Sequence, residues 1–450
     1  MRFTVIFFKE VGKKMKLSGR RIAVITLGCK VNQVEGAFLR ETLEAQGGIL
    51  VSFRERADLY VLNTCAVTAK AAYEGRKLLR RALEASPELV VVTGCYAQTF
   101  PEEILKAGKG PVTVLGHAEK FRLVEILLAE TPSTLAGEIL VSLVEELKKA
   151  ASAPIKSFPG HSRAFLRIQD GCSARCAYCI VPLARGPARS LPEEEILKQA
   201  KAFVEAGYRE IVVTGIHLGA WGRDLSPPQS LTSLLRKLES LGDFRLRLSS
   251  LEVTEITDEL LSWARESEKF CPHFHVPLQS GSNQVLAAMG RNYSGELYLE
   301  TLRKIRQSFP EAALGADVLV GFPGETEEDF SRTYKLIAES PLTYLHVFPY
   351  SPRPGTRAYG RPLVPSEEVS RRTKLLRELA VRKKRTFFQA QLGRILEVLV
   401  EGIDEETRLL KGLSQNYVPV LFEGPEDLKG KIVRVKVVGV KGFQIYGERL

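Results

Sequence analysis

Six of the seven cysteines in this 450-residue chain fall into two sets of three. Cys172, Cys176 and Cys179 lie within the stretch GCSARCAYCI, spaced C-x3-C-x2-C. Cys29, Cys65 and Cys95 are separated by 36 and 30 residues, and each follows a short apolar run. An iron–sulfur cubane is ordinarily held by four thiolates, one per iron. Three thiolates leave one iron for a small molecule, as three protein ligands leave an open position on a catalytic zinc. Such an iron can chelate an amino-acid head group through amine and carboxylate. A reduced cluster placed there can pass an electron into that ligand.

On residues alone, other readings of the Cys172 set stay open. His161 or another residue could complete a zinc site. Cys176 and Cys179 could be a redox pair at a helix start. An electron carrier would need a fourth cysteine nearby. Cys271, in KFCPHFHV, falls at the amino end of a predicted strand and reads as structural. Cys29, Cys65 and Cys95 could each be a buried structural cysteine. Their equivalent positions after three strands favour a metal site.

The elements that must position these residues can be read from periodicity. RIAVITLG, DLYVLNT and ELVVVTG are β-branched runs, each followed by a helical pattern, which predicts a parallel sheet with covering helices. Parallel strands put their carboxyl ends on one rim, where ligands bind. From His161 to Lys384 the alternation resumes with AFLRIQD, EIVVTG, FRLRLSS, HFHVPLQ, GADVLVG and YLHVFPY. Six βα units predict a partial barrel, with its reaction centre beyond the carboxyl ends of the strands. The C-x3-C-x2-C loop follows the first of them. From Thr386 to Leu450 four apolar–polar alternating runs predict a small antiparallel barrel, a type that often binds oligonucleotides. The expected fold class is therefore α/β. Its expected parts are a parallel α/β domain at 20–130, a linker at 131–160, a partial (βα)6 TIM-like barrel at 161–384 and a small β-barrel at 386–450. The linker is expected to hold one helix. GFPGE at 321–325 lacks the Walker spacing and lysine, and reads as a tight turn with Glu325 opening a helix.

The chain is long enough for roughly three domains at about 150 residues each. No apolar run reaches the length of about 18 residues a membrane span needs, and the apolar start MRFTVIFF is too short for a signal peptide. A cytoplasmic protein with reduced thiols is expected, with no membrane and no DNA partner. Met15 precedes KLSGRRIAVITLG, so the first 14 residues read as a start-site artefact or frayed extension. Net charge is +11, which suits a polyanionic partner. Between Arg371 and Arg394 there are nine Lys or Arg against one acid, Glu378. Arg76, Lys77, Arg80 and Arg81 form a second basic group on a predicted helix.

C-x3-C-x2-C with Tyr178 before the last cysteine resembles the radical S-adenosylmethionine (SAM) enzymes. With the three upstream cysteines and the terminal barrel, the order resembles the methylthiotransferases, which join a cluster domain, a radical SAM barrel and a TRAM domain. The resemblance runs from about Arg21 to Leu450. NTCAVTAKA, VVTGCYAQ, CIVPLARGPARS, PLQSGS, DVLVGFPGETEEDF and FPYSPRPGTRA agree with it. ITLGCKVNQVEG and PHFHVPLQSGS resemble the type acting on N6-threonylcarbamoyladenosine beside the tRNA anticodon. The isopentenyladenosine type usually has Gln and Met after the first cysteine, and the type acting on a ribosomal-protein aspartate has Pro-Lys-Asn. Lys30, Val31, Asn32 and Gln33 match neither. Gly36, Ser173 and Leu191 depart from common family residues, and none of them is a cluster ligand.

The resemblance implies two [4Fe-4S] clusters. Cys172, Cys176 and Cys179 would hold the SAM-binding cluster and Cys29, Cys65 and Cys95 an auxiliary, sulfur-carrying one. It implies that Tyr178, Thr214, Gly215, Ser250, Glu252, Gln279 with Ser280, and Asp317 surround SAM. Arg185 and Arg189 are candidates for substrate contacts or structural ion pairs. The implied partners are a tRNA anticodon stem-loop and a reductant of flavodoxin or ferredoxin type. The rival functions are methylthiolation of isopentenyladenosine or of a ribosomal-protein aspartate, and a non-catalytic iron–sulfur RNA-binding regulator.

Overall fold

The computed structural model describes residues 14–450. The reading of the first 14 residues falls, except for Lys14, outside the described part. The chain divides into two units: residues up to Glu146 together with Leu183–Arg185, and Leu147–Pro182 together with Gly186–Leu450.

The first unit is built on a six-stranded parallel sheet of β1 (Arg21–Thr26), β2 (Ile49–Val51), β3 (Leu59–Thr64), β4 (Leu89–Gly94), β5 (Val112–Leu115) and β6 (Ile139–Leu140), in the order β2-β1-β3-β4-β5-β6. Every residue of β3 and β4 is buried, which is why those runs are continuously apolar rather than alternating. Leu39 and Leu43 of the helix Lys30–Ala45 pack on Ile22, Val61, Leu89 and Leu115 in its core. Truncating a leucine buried like Leu39 costs about 2–5 kcal/mol. Three strands were expected here and six are present, because β2, β5 and β6 are too short to show a period. The helix expected in the 131–160 linker is also absent as such. Its apolar Ile139 and Leu140 pair with Val114 and Leu115 on the sheet edge. A four-residue helix at Pro132–Leu135 and a 3-10 turn at Val144–Glu146 flank them.

The second unit carries six parallel strands in chain order: β7 (Ala164–Arg167), then, after a two-residue ribbon of β8 (Gln169–Asp170) and β9 (Arg189–Ser190), β10 (Glu210–Thr214), β11 (Arg245–Leu248), β12 (His273–His275), β13 (Ala313–Val320) and β14 (Tyr344–Pro349). They form two three-stranded sheets joined by a parallel bridge between Leu246 and Phe270. Among the described residues β7 and β14 each pair with one strand only, so the barrel is open, as the six-unit pattern predicts. The ribbon pairs Gln169 with Ser190 and Asp170 with Arg189, closing the base of the cysteine loop. Gly171 starts that loop at φ 70°, where any Cβ would strike the Pro187 carbonyl. This is a turn only glycine makes without strain.

β15 (Ile395–Ile403), β16 (Leu410–Ser414), β17 (Pro419–Phe422), β18 (Ile432–Lys441) and β19 (Gln444–Arg449) close a five-stranded barrel. The run RLLKGLSQNYVPVLFEG supplies two of these strands: Ser414 takes its turn with Asn416 and the Val418 N–H. All pairs are antiparallel except β17 with β19, which closes the barrel. Arg245 and Arg247 of β11 bind this small barrel to the large one. Their guanidinium groups donate to the carbonyls of Glu397, Leu413, Ser414 and Gln415 at 2.7–3.1 Å. The same groups clasp the buried Glu210 at 2.6 and 2.7 Å. The basic stretch before it is the helix Ser366–Gln389, about 36 Å long. Glu325 does not open the preceding helix. That helix is Glu327–Glu339, capped by Thr326, while Glu325 is buried against Arg372 at 2.8 Å. No helix among the described residues is long and apolar enough to cross a membrane.

Candidate cluster and cofactor sites

Cys29, Cys65 and Cys95 follow β1, β3 and β4, which are neighbours in the sheet. Thr64 and Gly94 are in register, so Cys65 and Cys95 leave the rim side by side. Leu27 bonds Asn63 across to β3 at 2.8 Å, which brings the Cys29 turn alongside. Buried Asn32 ties the turns together: its amide donates to the Leu27 carbonyl at 2.7 Å and the Thr64 carbonyl at 3.1 Å. Asn63 in turn donates to the Asn32 carbonyl at 3.0 Å. Cys29 is the N-cap residue of the helix Lys30–Ala45. All three cysteines are free.

The donor set suits a metal cluster. Burial pushes the Cys65 thiol up to about 12, and repulsion from Cys95 and Cys29 adds to it. Burial also raises Cys95, against the opposing charges of Arg185 and Lys120. Thiolates buried like Cys65 and Cys95 are stable only beside cations, and with the exposed Cys29 the set can supply three irons of a cubane. Arg185 proves to be a structural ion-pair partner. It holds the carboxylate of fully buried Glu35 with two bonds, at 2.9 and 3.0 Å, and donates to the Asn32 side chain. Lys120 completes Glu35 at 2.6 Å. The departure at Gly36 has a steric cause: a Cβ there would overlap the Thr26 hydroxyl.

Asn32→Ala is expected to leave the two turn carbonyls unpaired, a loss of about 1–3 kcal/mol. The check is iron bound by a chain whose Cys172, Cys176 and Cys179 are alanine. That iron should fall when Asn32→Ala is added.

Cys172, Cys176 and Cys179 occupy the loop between β8 and β9. The Cys172 N–H donates to the Gly186 carbonyl and the Cys179 N–H to the Cys176 carbonyl, at 3.0 and 3.1 Å. Ala177 is pinned by bonds to Met289 and Ala358, each 2.8 Å, and packs with Val285, Met289 and Phe322 beside Tyr178. Burial pushes Cys179 up to about 12, so this set too needs a cation to hold thiolates. His161, the proposed zinc ligand, packs instead on Phe158 and Phe165 at the amino end of β7. Cys271 is fully buried before β12, as expected of a structural cysteine.

Charged neighbours that sequence reasoning missed surround this loop. His217 Nδ1 lies 3.7 Å from Cys172 Sγ and its Nε2 lies 2.8 Å from Glu255. The bond to Cys172, then that to Glu255, pushes His217 up to about 10. Its ring lies between a sulfur and a carboxylate. Arg291 reaches Cys176 Sγ at 3.4 Å and pairs with Glu252. Hydrogen bonds to sulfur and nearby charge tune a cluster's potential. The only sequence signal was position: His217 lies in the loop beyond β10, and Arg291 between the helices Asn283–Met289 and Gly295–Ser308.

Some of the residues that the resemblance assigns to SAM connect to this loop. Thr214 ends β10, and Gly215 lies against Gln169, whose side chain accepts the His217 N–H at 2.8 Å. Glu252 follows β11 on the Arg291 bridge, with Ser250 exposed just before it. Gln279 sits beyond β12 at φ 62°, a strained conformation of the kind that collects at functional sites. The Ser280 hydroxyl is spent on Thr333 and the Ser282 N–H. Asp317, expected at SAM, has its carboxylate between His275 and His346. Arg189 is buried beside Asp170, 3.6 Å away, and is a structural partner.

Comparison with known proteins agrees with this layout. Residues 21–116 match the uncharacterized protein family UPF0004, 166–337 the Radical SAM superfamily, and 389–449 the TRAM domain. The chain is 39% identical over 426 residues to the threonylcarbamoyladenosine tRNA methylthiotransferase MtaB of Bacillus subtilis, covering 93% of each. It is 37% identical to MtaB of Aquifex aeolicus, covering 93% of this chain and all of that one. It is 35% identical to a tRNA-2-methylthio-N(6)-dimethylallyladenosine synthase of Cereibacter sphaeroides, covering 96% and 99%. The radical SAM methyltransferase TsrM of Kitasatospora setae shares the fold, with TM-score 0.53 at 14% identity over 75% of this chain and 77% of that one. An iron–sulfur cluster and SAM go with such a barrel. With two cysteine triads at strand-end rims and matches along nearly all its length, this chain belongs to the radical SAM methylthiotransferase family.

Proposed function

We propose that the chain methylthiolates C2 of N6-threonylcarbamoyladenosine at tRNA position 37, in the cytoplasm. The observation that carries this reading is the end-to-end match to the two MtaB proteins, with Lys30-Val31-Asn32-Gln33 after the first cysteine in its support. In this reading Cys172, Cys176 and Cys179 hold one [4Fe-4S] cluster and Cys29, Cys65 and Cys95 a second. When bound, the clusters and SAM supply one-electron chemistry, hydrogen abstraction and the methylthio group.

The chain's own residues position that chemistry. Arg291 places positive charge beside Cys176 and fixes Glu252. His217 bridges Cys172 and Glu255. Tyr178, Thr214, Gly215, Ser250, Glu252 and Gln279 are assigned to SAM. Asp317 is set apart, because two imidazoles already engage it. The target base must leave its stack to be reached. The anticodon stem-loop is assigned to the small barrel and the exposed basic side chains of the helix Ser366–Gln389, and a flavodoxin- or ferredoxin-type protein to electron supply.

Only part of that helix is available for phosphates. Arg372 is buried on Glu325, Arg371 is paired with Glu327 and Glu368, and Lys383 caps the Ala338 and Ser340 carbonyls. Lys374, Arg377 and Arg385 are exposed. Changing these three to alanine is expected to lower the slope of log K against log salt by about 2–3. Equilibrium binding of tRNA at several salt concentrations measures it.

The Cereibacter relative favours a second reading, with isopentenyladenosine as substrate. Reconstituted protein with dithionite and SAM, given tRNA carrying either modification, separates the two. Nucleoside mass spectrometry should find the 2-methylthio product on threonylcarbamoyladenosine. Product on isopentenyladenosine alone would overturn the proposal.

A further inference from the structure

We propose that His275, Asp317 and His346 form a divalent-metal site, separate from the cysteine sets. The three residues come from adjacent strands. His275 is opposite Gly315 on β13, and Asp317 is opposite His346 on β14. A Cβ on Gly315 would strike the Tyr344 ring, so Gly315 and Asp317 share a face with Tyr344 and His346. On that face the donor atoms of His275, Asp317 and His346 all lie within 4.8 Å of one another.

The two spacings that include Asp317 suit a metal. Asp317 Oδ1 is 3.1 Å from His275 Nε2 and 3.2 Å from His346 Nδ1. A cation bonded to each donor at about 2.1 Å needs donor pairs about 3.0–3.4 Å apart. Two imidazoles and one carboxylate suit zinc, iron(II) and similar ions.

A supporting shell is also present. The second nitrogen of His275, Nδ1, is 3.1 Å from the Tyr344 hydroxyl, which is 2.7 Å from His273 Nε2. With a metal bound at Nε2, His275 would donate its Nδ1–H to Tyr344 and Tyr344 its O–H to His273. Ligating histidines are ordinarily oriented by a second bond of this kind. Three protein ligands leave coordination positions open, and the His346 side chain, 54% exposed, lies on the solvent side.

The same contacts would also arise from protonated imidazoles paired with Asp317, and metal uptake separates the two cases. Anaerobic holoprotein with its cysteines iron-loaded is equilibrated with Zn2+ and dialysed, and zinc and iron per chain are measured by plasma mass spectrometry. About one zinc per chain is expected in the wild type. His346→Ala and Asp317→Asn should lose it with iron unchanged, and Tyr344→Phe should weaken it about 10- to 100-fold. His346 is exposed, so that variant is expected to keep its fold. No retained zinc in the wild type, or equal zinc in His346→Ala and Asp317→Asn, would overturn the proposal.

Discussion

Cys172→Ala is expected to abolish both SAM cleavage and methylthiolation, whereas Cys65→Ala is expected to keep SAM cleavage and lose methylthiolation. The split follows from where the two sets sit. Cys172 belongs to the loop closed by the β8–β9 ribbon in the barrel unit, and Cys65 to the rim of the six-stranded sheet. Neither set has a spare thiol, because Cys271 is fully buried at the other end of β12. Each substitution should lower iron from about eight to about four per chain, one cubane's worth. Iron analysis and the yield of 5′-deoxyadenosine and methylthionucleoside check it. Loss of SAM cleavage in Cys65→Ala, with the barrel's iron still in place, would contradict the division of roles.

Glu210→Gln is expected to destabilise the second unit by about 3–5 kcal/mol, the range for breaking a buried ion pair by removing one partner. Glu210 is fully buried, and its loss would leave Arg245 and Arg247 without their counter-charge. Those arginines also hold four carbonyls of the small barrel. The variant should therefore bind tRNA more weakly as well. Denaturant unfolding and tRNA binding measure the two effects. Acid should act in the same direction. Burial alone would raise the Glu210 carboxyl, but Arg247 and Arg245 bring it down from 4.5 to about 2. A carboxyl depressed on folding contributes stability that is complete above its unfolded value and is lost as pH falls toward its folded one. The gap between wild type and variant should therefore narrow as pH falls from 4.5 to about 2.

The sequence disclosed what depends on local spacing. The two cysteine triads, the three strands that deliver the first and the six that frame the second were all readable from short windows. Partnerships made across the fold were not. Arg185 gave no sign that it would hold Glu35, 150 residues away, and so was left between substrate contact and ion pair. Nor could a window around Arg372 show that Glu325 would bury it, so the basic helix looked more available to phosphate than it is. Short edge strands failed for a different reason: Ile139 and Leu140 are strand only because Val114 and Leu115 receive them. In isolation the same residues fit a helical period. His217 and Arg291 were missed because their only mark is a loop position beside sulfur.

The most direct test of the account is Mössbauer spectroscopy of the protein reconstituted with 57Fe, recorded before and after SAM is added. The account requires each cubane to keep one iron without a cysteine. One iron of the barrel cluster should then change its signal when SAM binds, and that change should vanish in Cys172→Ala. A spectrum that SAM leaves untouched, with every iron already in a thiolate environment, would contradict it.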